Sequence, residues 1–423
     1  MVLQKLKVSP SERKTFIVHM IYTSLDGIIL GVLALNEFIL IKALSGEDYQ
    51  MSLLFQFAAI VFLFSIIFNE IQKRIEHKKR FIRIIAIITR LPLLVVFFFP
   101  EDINFSNQVI FQYIFLFIFL FYYTSSSIII PVINLILKKN YKNENFSKYY
   151  GYSASLNKII MLLTTFVFGL LLEYNEHYYT YIYPAIGLIS IAAVFLLTKI
   201  DYTSNPVEMK VGFWVSVRKT FQNMNRIIWG DKSFRDFEIG FMMYGSAWMI
   251  SGALIPIFMN NILHLNYLSM AIYYNSYNTI AIITLPFFGK LLGRMNPRKF
   301  SIYTYFTLAL FLFFLILAGF FPINYEIFGV KIYLMLIFAY ISYGFFAAMM
   351  ALSWYIGSAF FGGENDVADY QALHLGLTGV RGMFAPFIGV GIYQFVGYTG
   401  VFGLSIIILL CATWVLSVSL KKR

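Results

Sequence analysis

Four ionisable residues stand inside otherwise apolar runs: Asp26, Arg90, Lys158 and Arg381. Each lies about nine to eleven residues from the start of its run, which at 1.5 Å per helical residue is about 14–17 Å along the axis. That depth is close to the centre of a hydrocarbon core about 30 Å thick. A charge held there costs about 2.5–3.5 kcal/mol on insertion scales, so each must face a partner, a wet cavity or a polar visitor. Three bases against one acid favour a carboxylate-bearing visitor, anionic or zwitterionic, over a cation. Lys158 and Arg381 are therefore the first candidates for binding a solute. Arg90 is expected in a structural ion pair with Asp26, and an Asp26–Lys158 pair is the competing arrangement.

Neighbours on the same helical faces extend this set. His374 precedes Arg381 by seven residues, two turns on nearly one face. Glu37 follows Asp26 by eleven residues, again in phase if one helix carries both. Asp26, Glu37 and His374 are the candidates for carrying a proton. Another apolar run carries Tyr274, Asn275, Tyr277 and Asn278; buried amides are costly, and tyrosines offer an aromatic wall with a polar tip. Trp248 sits three turns into its own run, near the level of Asp26 in the first. These five join Lys158 and Arg381 as candidate substrate contacts. Thr124-Ser125-Ser126-Ser127 forms a further polar cluster, which either lines a cavity or bonds back to its own helix. Gly27-x-x-x-Gly31 marks close helix packing.

The elements that must position these residues follow from composition. The chain has 423 residues, 59% hydrophobic and only 13% charged, about half the charge of an ordinary soluble domain. It reads as an all-α polytopic membrane protein. Runs of about 20 apolar residues, the length needed to span, fall at roughly 16–42, 48–71, 81–99, 107–137, 149–173, 178–199, 236–262, 266–292, 300–321, 331–361, 370–397 and 399–420. These are twelve expected transmembrane helices. The period-two alternation of an outer-membrane barrel is absent. Asp26 and Glu37 within the first run argue against a cleaved signal peptide.

Most Lys and Arg residues lie at the N-terminus, after the even-numbered spans and in the tail, whereas Glu47, Asp48, Glu101, Asp102, Glu173, Glu176 and Glu326 lie on the opposite side. The positive-inside rule then places both termini in the cytoplasm and the chain in the inner or plasma membrane. The loop with Glu364, Asp366 and Asp369 is the exception. The net charge of +12 is a topology signal and needs no nucleic acid to explain it. One cysteine and five scattered histidines offer no metal site, no phosphate-binding loop is present, and no cofactor is expected. The partners expected are a small solute, the lipid bilayer and protons, with the protein acting as a monomer.

The longest polar break divides the sequence into residues 1–199, a six-helix bundle; 200–235, a linker; and 236–423, a second six-helix bundle. Met20-Ile-Tyr22-Thr-Ser24 and Met242-Met-Tyr244-Gly-Ser246 open equivalent spans, so the bundles are expected to be pseudo-symmetric repeats. Within the linker, Val211, Trp214, Val217, Phe221, Met224 and Ile228 recur at three- and four-residue steps, the pattern of an amphipathic helix lying on the membrane.

The loop Gly289-Lys-Leu-Leu-Gly293-Arg294-Met-Asn-Pro-Arg298-Lys299 resembles the G-x-x-x-D-R-x-G-x-R-R loop of the major facilitator superfamily, with Gly293 in place of the acid and Asn296 in place of the second glycine. The loop around Asn69, Lys73, Arg74, Glu76 and Lys78 is a more degenerate copy, and Gly379-Val-Arg381-Gly382 through Pro386, Gly389 and Gly391 is similar to that family's Gly/Pro-rich late helices. The resemblance implies a secondary transporter with spans 4 and 8 lining the cavity. It implies alternating access and a cytoplasmic gate at Arg74, Arg294 and Arg298, with Glu70, Asp236 and Glu238 as partners. A rival on the same fold is a non-transporting receptor or assembly scaffold. An enzyme is not expected, because no nucleophile–base pair or metal cluster is present.

Overall fold

A computed structural model describes residues 10–101, 108–141, 143–202, 212–292, 294–354, 361 and 367–421. Its helices in chain order are α1 (Pro10–Leu33), α2 (Asn36–Lys42), α3 (Asp48–Ile60), α4 (Ser65–Arg74), α5 (Lys78–Arg90), α6 (Gln108–Asn140), α7 (Asn143–Tyr174), α8 (Tyr179–Leu197), α9 (Phe213–Gly230), α10 (Lys232–Gly252), α11 (Leu254–Asn261), α12 (Tyr267–Leu292), α13 (Pro297–Phe320), α14 (Leu334–Leu352), α15 (Val367–Gly382) and α16 (Ala385–Lys421). Between α13 and α14 lies a hairpin of β1 (Asn324–Ile327) and β2 (Val330–Tyr333). Among the described residues, nine helical segments are long and apolar enough to cross a membrane.

Several expected spans are interrupted, each for a local reason. The first breaks between α1 and α2, where the buried Asn36 side chain accepts a 2.6 Å bond from the Tyr183 hydroxyl. Glu37 therefore sits on a separate short helix, and its expected phase with Asp26 is lost. The run at 81–99 stays α-helical to Arg90 and then tightens into a 3₁₀ segment, Leu91–Phe98, as expected where Pro92 removes an amide donor. The expected 331–361 span begins instead as β2. The hairpin turns at Phe328 and Gly329, with φ of 50° and 77°, the two left-handed positions of a type I′ turn. Near the C-terminus Gly397, at φ 65° and ψ −175°, breaks α16, where two adjoining spans are expected.

The chain groups into two compact units, Met1–Leu44 with Ile67–Lys210, and Ser45–Ile66 with Val211–Arg423. In the first unit α7 is patterned for lipid. Ser153, Asn157, Met161, Thr165, Phe168 and Leu172 are buried, while Ile159, Leu163, Phe166, Val167 and Leu170 are exposed. With apolar solvent outside, burial of apolar area gives little drive, and close backbone approach does more. Gly27 and Gly31 of α1 supply it: a Cβ at Gly31 would lie 2.6 Å from Thr164 Cβ and 2.7 Å from the Met161 carbonyl. The same unit is filled by Ile82, Ala86, Ile133, Ile136, Val194 and Leu197 from α5, α6 and α8.

In the second unit α10 packs along α16, and α13 packs against both α14 and α16. Residues 45–66 belong here because α3 and the 3₁₀ segment Val61–Phe64 pack on α15 and α16. Gln56 donates to the Met383 carbonyl, and a Cβ at Gly379 would meet the Leu63 backbone at 2.5 Å.

Candidate functional site

A buried polar constellation in the second unit lies between α10 and α15. Glu238, His374 and Arg381 are 2%, 0% and 2% exposed. His374 Nδ1 lies 2.7 Å from Glu238 Oε1. The spacing His374, Thr378, Arg381 keeps one face of α15 polar, and the spacing Glu238, Phe241, Gly245 sets a carboxyl group, a backbone carbonyl and a gap along the facing side of α10. The Arg381 guanidinium enters where Gly245 leaves room: a Cβ there would lie 1.9 Å from Cζ. It donates a 2.7 Å hydrogen bond to the Phe241 carbonyl and stacks 5.1 Å above the Phe241 ring centroid. Phe241 also meets the His374 ring at 4.3 Å, and Trp354 lies 5.3 Å from that ring. Arg381 is in electrostatic range of Glu238, Tyr244 and Tyr305.

Three atoms of this cluster have no hydrogen-bond partner among the described residues: Glu238 Oε2, His374 Nε2 and Arg381 Nε. Buried donors and acceptors are ordinarily satisfied, and each exception calls for an explanation. Chemically the cluster combines a carboxyl group, an imidazole with two ring nitrogens that can each carry a proton, and a guanidinium.

An aromatic wall occupies the same unit. Trp248 lies 5.6 Å from Tyr343 and 5.8 Å from Phe346. Tyr343 meets Tyr277 edge-on at 4.6 Å, and Tyr277 meets Tyr274 at 6.0 Å. The expected contacts Trp248, Tyr274 and Tyr277 are thus joined through Tyr343 of α14, which hydropathy alone does not single out. Asn278 is buried and donates to the Tyr274 carbonyl of its own helix at 2.9 Å. Asn275 is half-buried on the same helix.

The charges of the first unit are arranged differently from expectation. Asp26 accepts a 3.0 Å bond from Asn157, not from a base. Lys158, one residue further on, is exposed, with Nζ 4.0 Å from the Met161 sulfur. One residue is a 100° rotation on a helix, enough to put Asn157 against α1 and Lys158 away from it. Arg90 is buried within electrostatic range of Asp26 but is held by hydroxyls, not by a direct ion pair. Its guanidinium donates to Ser190 Oγ at 3.0 Å, to Thr89 Oγ1 at 2.6 Å and to Ser125 Oγ, and it stacks 5.0 Å over Tyr122. Ser125 thereby serves Arg90, while all four hydroxyls of residues 124–127 also bond back to their own helix. Glu37 is half-buried on α2.

The basic loop residues find partners inside their own units. Arg74 donates from Nη2 and Nε to Glu70 Oε1 at 2.8 and 3.1 Å, one turn back on α4. Arg298 is buried and donates to Ser419 Oγ at 2.8 Å, and that hydroxyl donates to Asp236 at 2.5 Å. Arg294 is exposed. Gly293, Glu364 and Asp366 lie outside the described residues, as do residues 203–211 of the expected linker.

Comparison with known proteins accords with this architecture. The sequence profile of the Major Facilitator Superfamily matches residues 15–364. The chain belongs to that superfamily, a family of transporters rather than enzymes. No curated protein matches it by sequence. Among solved structures it is similar to a point mutant of the nucleoside transporter NupG, with a TM-score of 0.73 and 12% identity over 96% of this chain and 99% of that one. A POT family transporter in complex with 5-aminolevulinic acid gives 0.71 and 12%, covering 97% and 96%. The xylose transporter XylE from E. coli, inward open, gives 0.64 and 10%, covering 95% of each chain. At such identities the likeness is one of fold.

Proposed function

We propose that this protein is a proton-coupled secondary transporter for a small organic solute bearing a carboxylate, anionic or zwitterionic, working by alternating access. The observation that carries this reading is the buried Glu238–His374–Arg381 cluster with its three unpartnered atoms. Holding such groups in an apolar span is costly unless something polar visits them. With Glu238 ionised and His374 neutral, the cluster carries no net charge. A proton taken up by the pair leaves it at +1, and a carboxylate is then the complementary guest. Proton and anion loading therefore favour each other, the thermodynamic requirement for co-transport. Arg381 is the substrate-facing cation in this reading, and Lys158 is a second. The wall of Trp248, Tyr274, Tyr277 and Tyr343 receives the organic body, and Asn275 and Asn278 orient it.

The twelve-span count belongs to the same proposal. It takes the nine segments, divides the last at Gly397, and adds the α3–α4 and α12 stretches as spans 2 and 8. Both termini are assigned to the cytoplasm by the distribution of Lys and Arg. Asp26 and Glu37 are secondary proton sites, and Arg74, Arg294 and Arg298 form the cytoplasmic gate. The neighbours' named solutes include a nucleoside, xylose and 5-aminolevulinic acid; the charge argument favours solutes of the last kind.

The test is uptake of a tritiated solute panel into proteoliposomes with and without an imposed pH gradient. Carboxylates are expected to dominate, with flux lost in Arg381→Ala and gradient dependence lost in Glu238→Gln and His374→Gln. Hits confined to lipophilic cations would refute the charge argument. Folded protein that moves no solute would favour a receptor or scaffold.

A further inference from the structure

The helix α9 is the remaining feature that a solute pathway does not use. It runs Phe213–Gly230, and a single residue separates it from α10, whose first turn starts a candidate membrane span at Lys232. Its position beside the bilayer surface is thus fixed by covalent connection. One stripe, Val217, Met224 and Ile227, is buried, and the helix packs on α10 and α15 of its own unit. Another stripe is left open: Trp214, Phe221 and Trp229 are 73%, 56% and 71% exposed. Beside these aromatics Ser216, Lys219, Thr220, Gln222, Asn223 and Arg226 form a shallow, open polar groove along the same helix.

Between residues 212 and 235 the bases are Arg218, Lys219, Arg226, Lys232 and Arg235, and the only acid is Asp231. Asp231 is already committed: one oxygen caps α10 through the Phe234 amide at 3.0 Å, and the other accepts from Tyr370 at 3.2 Å. The Arg235 guanidinium lies 5.6 Å from the Trp229 ring centroid, tying an interfacial aromatic to the start of the span. Large amphipathic aromatics partition to the headgroup level, and juxtamembrane clusters of four or more bases attract anionic leaflets.

We propose that α9 is a docking surface for anionic lipid. Trp214, Phe221 and Trp229 enter the headgroup region, and Lys219 and Arg226, with the hydroxyl and amide groups around them, take a lipid phosphate. Because α9 rests on α15, which carries His374 and Arg381, occupancy of this surface bears on the helix that holds the solute site.

The test uses the full-length protein with Cys411→Ser and a spin label at Phe221→Cys, in vesicles of phosphatidylcholine alone or mixed with phosphatidylglycerol. Oxygen accessibility of the label reads its depth. Expected is a label at headgroup depth in the mixed vesicles that retreats to water at high salt, through screening, and in the Lys219→Gln/Arg226→Gln double variant. In detergent, short-chain phosphatidylglycerol should bind that variant about thirtyfold more weakly, a factor of about five per cation. Three results would overturn the proposal: a label shielded from oxygen and water in every lipid, which means protein covers α9; a depth indifferent to lipid charge; or inorganic phosphate competing as well as phosphatidylglycerol, which makes the groove a free-anion site.

Discussion

Replacing Gly245 by alanine tests whether the Arg381 guanidinium occupies the slot described for it. The new Cβ would stand 1.9 Å from Cζ and 2.1 Å from Nη1, far inside contact distance, so the guanidinium must leave. Its departure forfeits the charged hydrogen bond to the Phe241 carbonyl, worth about 1.5–3 kcal/mol. It also forfeits the stacking on the Phe241 ring, worth about 1 kcal/mol. Alanine in a helix interior returns about 1 kcal/mol relative to glycine. The net loss is about 1.5–3 kcal/mol, or about 3–12 °C in the melting temperature of a unit of this size. In an Arg381→Ala background the same substitution meets an emptied slot and should be neutral or slightly stabilising. The assay is a double-mutant cycle on detergent-purified protein followed by thermal unfolding, with transport measured in parallel. A coupling energy of about 2 kcal/mol is expected, typical of residues in direct contact. Equal cost in both backgrounds, or no cost in the wild-type background, would show that Arg381 does not sit against Gly245.

Other substitutions probe the remaining contacts. His374→Gln removes the ring nitrogen that lies 2.7 Å from the buried Glu238 carboxyl group and should cost about 1–3 kcal/mol; adding Glu238→Gln should recover part of that loss, as unfolding of the four proteins would show. Gly31→Val drives a branched side chain into Thr164 and the Met161 carbonyl and should lower stability by about 1–3 kcal/mol. Gly376→Ala, inside α15 with nothing within 4 Å of its Cβ position, is the comparison in the same melts and should stabilise by up to about 1 kcal/mol. Gly397→Ala places a side chain at φ 65° and ψ −175°, a region open almost only to glycine, and should cost about 1–3 kcal/mol. Lys158→Ala, at an exposed position, should leave the melting curve within about 0.5 kcal/mol of wild type while reducing carboxylate flux in proteoliposomes.

Hydropathy made the helical character legible, because a helix satisfies its own backbone in lipid and long apolar runs admit little else. His374 and Arg381 stood out for the same reason, as ionisable groups where insertion is costly. Glu238 was visible too, but its place a few residues inside its span suggested a partner for loop arginines. Only the packing of α10 on α15 turns it toward the imidazole. Rotation about a helix was the other limit: Asn157 and Lys158 are adjacent in sequence, yet the amide alone meets Asp26. Arg90 misled because hydroxyls distributed over α6 and α8 satisfy a guanidinium without leaving any charge pattern to read. The hairpin was hidden because Val330, Ile332 and Tyr333 suit a span as well as a strand, and its turn uses Phe328-Gly329 instead of the usual Asn-Gly.

The grouping of residues 45–66 with the later part of the chain has a topological consequence. The backbone passes from one unit to the other three times, after residues 44, 66 and 210. A protein divided after residue 210 would not yield two self-sufficient pieces. The first fragment would carry α3 without the helices it lies on, and the second would lack a wall that it needs from outside. What the linear order presents as consecutive halves is, in three dimensions, an exchange of one segment.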